Sequence, residues 1–306
     1  MATILQLCQD AADEAGLNLA RPSTLFAADN NGDSADRKLL RALTRVVKDL
    51  AGTYDWQVLM RERVFTAAQA EEQVSAIPAD FLRFVPDTFW SRTNRWRLAG
   101  PVTPAEWQQM QSWFTGAVVP YFRQRGNDIV LFPAPMSANV LAFEYVANVI
   151  GYATGSASFT ATSTLHSATL TVTAGTTPSV GQTVTGAYVP AGALVTAVSG
   201  FDVTLSTVAS KAATSASYTA RTPLTRFAAD TDTTLWDDEL ITRGIVFEYR
   251  KGERLDYAQD KADFETLKAD RIKQDGGRRK IAMNRGGDTA SDRIAQMRSA
   301  AVVIRT

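Results

Sequence analysis

Ala168-Thr-Leu-Thr-Val-Thr173, Gln182-Thr-Val-Thr185, Ala193-Leu-Val-Thr-Ala-Val198 and Asp202-Val-Thr-Leu-Ser206 follow one another in close succession. Thr and Val alternate in them because a strand sends successive side chains to opposite faces, and β-branched residues fit a half-buried pleated surface. Gly175, Gly181, Gly186, Gly192 and Gly200 separate the runs at turn positions. The enclosing segment, residues 151–222, holds 17 threonines and only three charged side chains, Asp202, Lys211 and Arg221, among its 72 residues. It predicts an inserted all-β module, an Ig-like sandwich or a small barrel. A disordered Thr/Ser-rich linker is the alternative, and the regularly placed Val and Leu argue against it.

On either side the apolar period changes from two to that of a helix. Ile4, Leu5, Cys8, Ala11, Ala12 and Ala15 recur at helical spacing, and Gly16 follows where a C′ glycine belongs. A second helix is predicted from Asp33 or Ser34 to about Ala51, with Leu39, Leu43, Val46 and Leu50 on one stripe and Gly52 as its stop. Gln57–Phe65 reads as extended, and Ile77-Pro-Ala-Asp-Phe-Leu82 as an extended pair followed by a short helical turn. Phe89-Trp90 and Trp96-Arg-Leu98 fit two strands. Thr103, Pro104 and Glu106 fit a helix start as N-cap, first helical residue and capping-box partner. Pro120–Arg125 and Asp128–Phe132 form a hairpin across Gly126-Asn127, and Val140–Val146 alternates as one more strand.

Beyond the module, Thr234-Leu-Trp-Asp-Asp-Glu239 opens a long helix with acids at the positive end of its dipole. Its apolar residues, among them Leu240, Phe247, Leu255, Phe264 and Leu267, lie on several sides, so it should be buried among other elements or subunits. Continuous from Leu235 to Asp275 it would span roughly 60 Å, with Gly252 as a place to kink or break. Residues 276–306 carry seven Lys and Arg against two Asp, a net +5, and two Gly-Gly pairs. They read as an extended basic arm that orders on a partner, with Ala300-Ala-Val-Val-Ile304 as an apolar tip.

The balance of the whole chain excludes several classes. Lys plus Arg and Asp plus Glu both number 32, so the chain is neutral and is not committed to nucleic acid over its whole surface. Neutrality favours assembly with partners or low solubility alone. No apolar run is long enough for a membrane span, and the first ten residues lack the basic and apolar regions of a signal peptide. A single cysteine, Cys8, excludes an internal disulfide, and its place on an apolar stripe predicts an inert buried thiol. A single histidine, His166, leaves little room for a Ser-His-Asp triad and reads as a strand residue. No phosphate-binding loop or nucleophile elbow is present.

Weaker patterns have structural explanations. Asp29-Asn-Asn-Gly-Asp33 alternates oxygen ligands like a calcium loop, but Leu40 occupies the place of the closing glutamate, so a turn before a helix accounts for it. Asp237, Asp238 and Glu239 suit a helix N-terminus as well as paired acid–base catalysts. The six tryptophans suit core and interface packing better than sugar stacking. Arg92, Arg95, Arg97, Arg123 and Arg125 among aromatics fit either a nucleic-acid surface or cross-strand ion pairs. No cofactor, metal or catalytic residue is expected.

Four stretches in order carry a likeness. They are Thr3–Gly16, then Asp36–Leu43 running into Tyr54-Asp-Trp56, then Ile77-Pro-Ala-Asp-Phe-Leu82, and lastly Leu235–Ile241 with Phe247-Glu-Tyr-Arg-Lys251 and Leu255-Asp-Tyr-Ala258. The chain resembles the head-to-tail adaptor (head-completion or connector) proteins of tailed bacteriophages, and the third stretch is similar to their Pro-x-Asp-Phe element. Val180–Gly186, Val189-Pro-Ala-Gly192 and Val195–Gly200 resemble small β modules common in phage structural proteins. The implied fold is α+β: a discontinuous adaptor core at 1–150 and 223–275, an inserted β module at 151–222, and an arm at 276–306.

The resemblance implies a structural virion protein, made in the host cytoplasm and not an enzyme. It would form a homo-oligomeric ring, usually a dodecamer, beneath the portal protein, extend the DNA channel and receive tail or nozzle proteins. Leu240, Phe247, Leu255, Phe264 and Leu267 would then line the ring interface. Arg278, Arg279, Lys280, Arg285, Arg293, Arg298, Val302, Val303 and Ile304 would bind the portal, and channel arginines would meet double-stranded DNA without sequence preference. Two alternatives are a tail or capsid-surface protein whose β module recognises host glycans, and a glycan-degrading virion enzyme acting through Asp237, Asp238 or Glu239.

Overall fold

The computed structural model describes residues 2–16, 21–26, 34–113, 120–190 and 192–276. Helix α1 (Ile4–Ala15) starts on a capping box, with the Thr3 hydroxyl accepting the Gln6 N–H and the Gln6 side chain accepting that of Thr3. It ends at Gly16, whose left-handed φ of 66° suits a residue without a Cβ. Helix α2 (Ala35–Thr53) is capped by Ser34 and buries Leu39, Leu43, Val46 and Leu50 as the stripe predicts. It does not stop at Gly52: an exposed glycine near a helix end costs only about 1 kcal/mol, and the helix runs on one residue further.

Strands β1 (Met60–Thr66), β2 (Glu72–Gln73), β3 (Phe81–Phe84), β4 (Trp90–Ser91) and β5 (Trp96–Arg97) follow. The extended reading of residues 57–59 gives way to a turn that closes on Trp56. The helical turn expected over Ile77–Leu82 is likewise only a tight turn, closed by the Phe81 N–H on the Pro78 carbonyl, and Phe81 already belongs to β3. Helix α3 (Pro104–Trp113) has its Thr103–Glu106 capping box. Bonds from the Thr103 backbone and hydroxyl hold the exposed Glu106 carboxyl below its usual range. Strands β6 (Tyr121–Arg125) and β7 (Asp128–Phe132) make the hairpin across Gly126-Asn127, and β8 (Val140–Ala147) is the centre of one sheet, pairing with β1, β3 and β4. All these pairings are antiparallel.

The Thr-rich segment folds as β9 (Gly151–Ser163), β10 (Thr169–Gly175), β11 (Thr183–Gly186), β12 (Ala193–Ser199), β13 (Asp202–Leu205) and β14 (Ala213–Leu224). Pairing runs β9–β10–β13–β12–β11–β14 and back to β9, so six antiparallel strands close into a ring. This is a small barrel, not two facing sheets. Closure removes the exposed edges that a sandwich of such short strands would leave. The long outer pair, β9 and β14, has no counterpart in the sequence reading, because Ser, Ala and Gly replace the large apolar residues that mark alternation. Both strands continue past the barrel into the rest of the molecule, where β15 (Thr233–Thr234) pairs with the start of β9.

The helix expected over residues 235–275 is two: α4 (Asp238–Gly252) and α5 (Ala258–Asp275). The Glu253 N–H closes on the Tyr249 carbonyl, the Leu255 N–H bonds to the Arg250 carbonyl, and Arg254 adopts a left-handed φ of 59°. The chain therefore turns, and α5 packs back on α4 with the Phe247 and Phe264 rings stacked 6.0 Å apart.

Two apolar clusters result. One joins α1, α2 and α4 to the aromatic side chains of β3 and β8 with Phe89 and Phe122; the other fills the barrel around Phe159, Leu170, Val184, Val203 and Tyr218. A mixed α+β class describes the whole. Among the described residues no helix is long and apolar enough to cross a membrane.

Candidate functional site

The ring-interface residues fall mostly inside the chain itself. Leu240, Phe247 and Phe264 are buried in the main cluster and Leu267 packs against it. Leu240, Phe247 and Phe264 are thus covered within the chain by α2, α4 and α5, Leu267 is partly buried, and Leu255, in the turn between helices, is exposed. A helix apolar on several sides was compatible with either outcome. The break after Gly252 folds α5 onto α4 and covers Phe247 and Phe264 within the chain. The arm residues Arg278, Arg279, Lys280, Arg285, Arg293, Arg298, Val302, Val303 and Ile304 lie outside the described residues, as does the Asp29–Asp33 loop.

The acidic trio at the start of α4 is spent on architecture. Asp237 caps the helix through the Leu240 N–H and receives the Arg271 guanidinium at 2.9 Å; the same guanidinium lies 3.3 Å from Glu239. Asp238 accepts the Ala2 N–H at 3.0 Å. Each of the three carboxylates thus has a structural partner: a cap, an arginine or a backbone amide. Among the described residues no group of three or more His, Cys, Asp and Glu is placed to hold a metal ion. His166 sits exposed in the turn between β9 and β10. Cys8 is fully buried, and burial, with Asp230 and Asp36 adding to it, raises its thiol from an ordinary 9.0 to about 12. It is no nucleophile at neutral pH.

The arginine group resolves largely into ion pairs. Arg97 meets Asp87 at 2.6 Å, Arg92 pairs with Glu62, and Arg125 stands 3.8 Å from Glu72. Arg95 and Arg123 have no such partner among the described residues. Neutralising three of five cations weakens the field a phosphate backbone would meet, so the ion-pair reading is preferred. Trp56, Trp107 and Trp236 are buried, while Trp90 and Trp96 are partly exposed.

Two apolar grooves lie on the β part, beside a polar one of about 470 Å³ lined by Glu71, Glu72, Gln108, Gln111 and Arg125. One of about 380 Å³ runs over Phe81, Phe84, Phe89 and Phe122 beside Pro101. The other, about 240 Å³, lies between Trp96, Leu98 and Leu141 and the loop Pro133–Ser137, where Met136 is 96% exposed. Both are apolar with few polar groups, a lining suited to contact with another apolar surface rather than to chemistry.

A buried polar constellation escaped the sequence reading. Arg61 on β1 is 5% exposed, and its guanidinium donates to Asp80 at 2.5 Å and to the Thr183 hydroxyl of the barrel at 3.2 Å. Asp80 also accepts the Tyr145 hydroxyl at 3.0 Å, and burial first, then the Asp80 charge, push that phenol well above its usual range. Asp80 belongs to the Ile77-Pro-Ala-Asp-Phe-Leu82 stretch. The available signal was an arginine on strand β1 in phase with Phe65 rather than with Glu62.

Searches of family models and of curated proteins match this chain to nothing.

Proposed function

We propose that the chain is a non-enzymatic structural virion protein that assembles as a ring beneath a portal, joining head to tail and extending the DNA channel. The observation that carries this reading is the order of the four adaptor-like stretches, now seen as α1, α2, the Asp80 turn and α4 gathered on one apolar cluster, with the barrel inserted between β8 and α4. The engagement of Asp237, Asp238 and Glu239 supports a scaffold rather than a hydrolase. The two apolar grooves offer surface for neighbouring subunits. Symmetry would multiply weak contacts there, and the basic arm beyond Gly276 would add a tether ordered by the portal.

Electron microscopy of the purified chain, alone and mixed with a portal ring, tests the reading. A portal-dependent ring, lost when residues 276–306 are deleted from a chain that still folds, is the expected result. A monomer that never docks overturns it.

The barrel's exposed Phe201, Val180 and Tyr188 favour a second reading, in which this module meets a host glycan. Binding of the intact protein to a glycan array, abolished by Tyr188→Ala, would support it; a blank array would remove it.

A further inference from the structure

Among the described residues, two separate points join the barrel to the rest of the molecule. The first is its root, where β9 and β14 leave the barrel side by side. There β15 pairs with β9, and Gly151 lies so close to Thr233 and Phe227 that a Cβ would fall 2.2 Å from the Thr233 carbonyl oxygen. The second is lateral. Thr183, at the start of β11, accepts from the Arg61 guanidinium, and Gly192, just before β12, packs on the Arg61 side chain. A Cβ on Gly192 would lie 2.9 Å from Arg61 Cγ and 3.4 Å from the Met60 carbonyl oxygen, and its φ of 77° also favours glycine.

The root is a narrow ribbon of β9, β14 and the two-residue β15, with Tyr152 and Leu224 packed on the core cluster, and a narrow ribbon of strands can twist about its own axis. A second fixed point removes that freedom. We propose that Arg61 is a latch that holds the barrel in one orientation on the α+β core, so that the two move as a single rigid body.

The latch is polar and directional. A buried guanidinium must be paired, and its planar fork accepts partners only in defined directions. Asp80, itself steadied by Tyr145, holds the fork from the core side and leaves one donor directed at Thr183. Such a pair adds little net stability because desolvation opposes it, but it penalises every other arrangement. Arg61 Nε is buried without a partner, so the site is already short of acceptors and tolerates no further loss. Gly192 supplies the steric half of the latch: only a bare backbone lets the barrel turn approach this closely. The inference does not depend on ring assembly.

Pulsed electron–electron resonance on the full chain tests it, with nitroxides at Lys48→Cys on α2 and Thr214→Cys on β14 in a Cys8→Ala background. The parent should give one narrow distance peak. Arg61→Met and, separately, Gly192→Val should each at least double its width, while a control pair within α2 and α4 stays narrow. An unchanged peak in a folded Arg61→Met protein overturns the latch. Should Arg61→Met fail to fold, Gly192→Val alone decides: broadening supports the latch and an unchanged peak overturns it.

Discussion

In the α+β core, helices and aromatic strands interlock through large side chains. Phe143 has Phe84 and Phe89 at ring distances of 5.1 and 5.2 Å, and α2 passes α4 so closely that Val46 lies where Gly244 would carry a Cβ. The barrel is sealed differently, by Val, Leu and Ala around one stacked pair, Phe159 and Tyr218, 5.5 Å apart. The core spends its charged side chains on caps and ion pairs, whereas the barrel has almost none to spend. One region is therefore specified by directional contacts and the other by strand pairing and closure. They meet at the β9–β14 root and at the Arg61 site, while the barrel interior keeps its own apolar cluster.

That contrast predicts separable stabilities. Phe143→Ala should cost the core about 3–5 kcal/mol and leave amide protection in β10–β13 nearly intact, while Tyr218→Ala should do the reverse at similar cost. Hydrogen exchange followed by mass spectrometry in mild denaturant reads both regions at once. Equal loss in both regions from either substitution would mean one cooperative unit and break the comparison.

A smaller effect sharpens the core side. Gly244→Ala forces a methyl group against Val46 and Phe264, and overpacking of about 1–3 kcal/mol should outweigh the roughly 1 kcal/mol gained in helix propensity. Gly252→Ala, with open space around it, should keep that gain. Thermal denaturation of the pair should show midpoints moving in opposite directions.

Helix entry is worth less again. Thr3→Ala removes the hydroxyl that caps α1 and should lower stability by about 1 kcal/mol, measured by urea titration.

The gentlest test is alkaline. Because folding raises the Cys8 thiol from 9.0 to about 12, its contribution is whole below pH 9 and is lost as the pH climbs toward 12. Cys8→Ala should flatten that part of the stability curve. In the native parent at neutral pH the thiol should resist alkylation, and unfolding should expose it.

Much of this architecture is written locally in the sequence. The caps at Thr103 and Ser34, the glycine after α1 and the hairpin at Gly126-Asn127 are local, so the chemistry of three or four neighbouring residues declares them. The four short barrel strands announced themselves because Val and Thr alternate. Strands β9 and β14 did not, since Tyr-Ala-Thr-Gly-Ser-Ala-Ser and Ala-Thr-Ser-Ala-Ser carry no apolar contrast between their faces and become strands only by pairing with each other. For the same reason the ring-interface assignment of Leu240, Phe247, Phe264 and Leu267 could not be settled by period alone. An apolar stripe specifies that it must be covered, not by what.

The sequence by itself determined where most helices begin, which faces must leave water, that residues 151–222 are strand-forming and poor in charge, and that there is one thiol and one imidazole. These follow from near-neighbour sterics, hydrogen-bonding capacity and composition. Only the tertiary structure decided that six strands close into a barrel, that the last helix folds back on itself, and that Arg61 reaches Asp80 and Thr183. Those depend on residues brought together from distant parts of the chain, where the free energy of a contact is set by partners no local window contains.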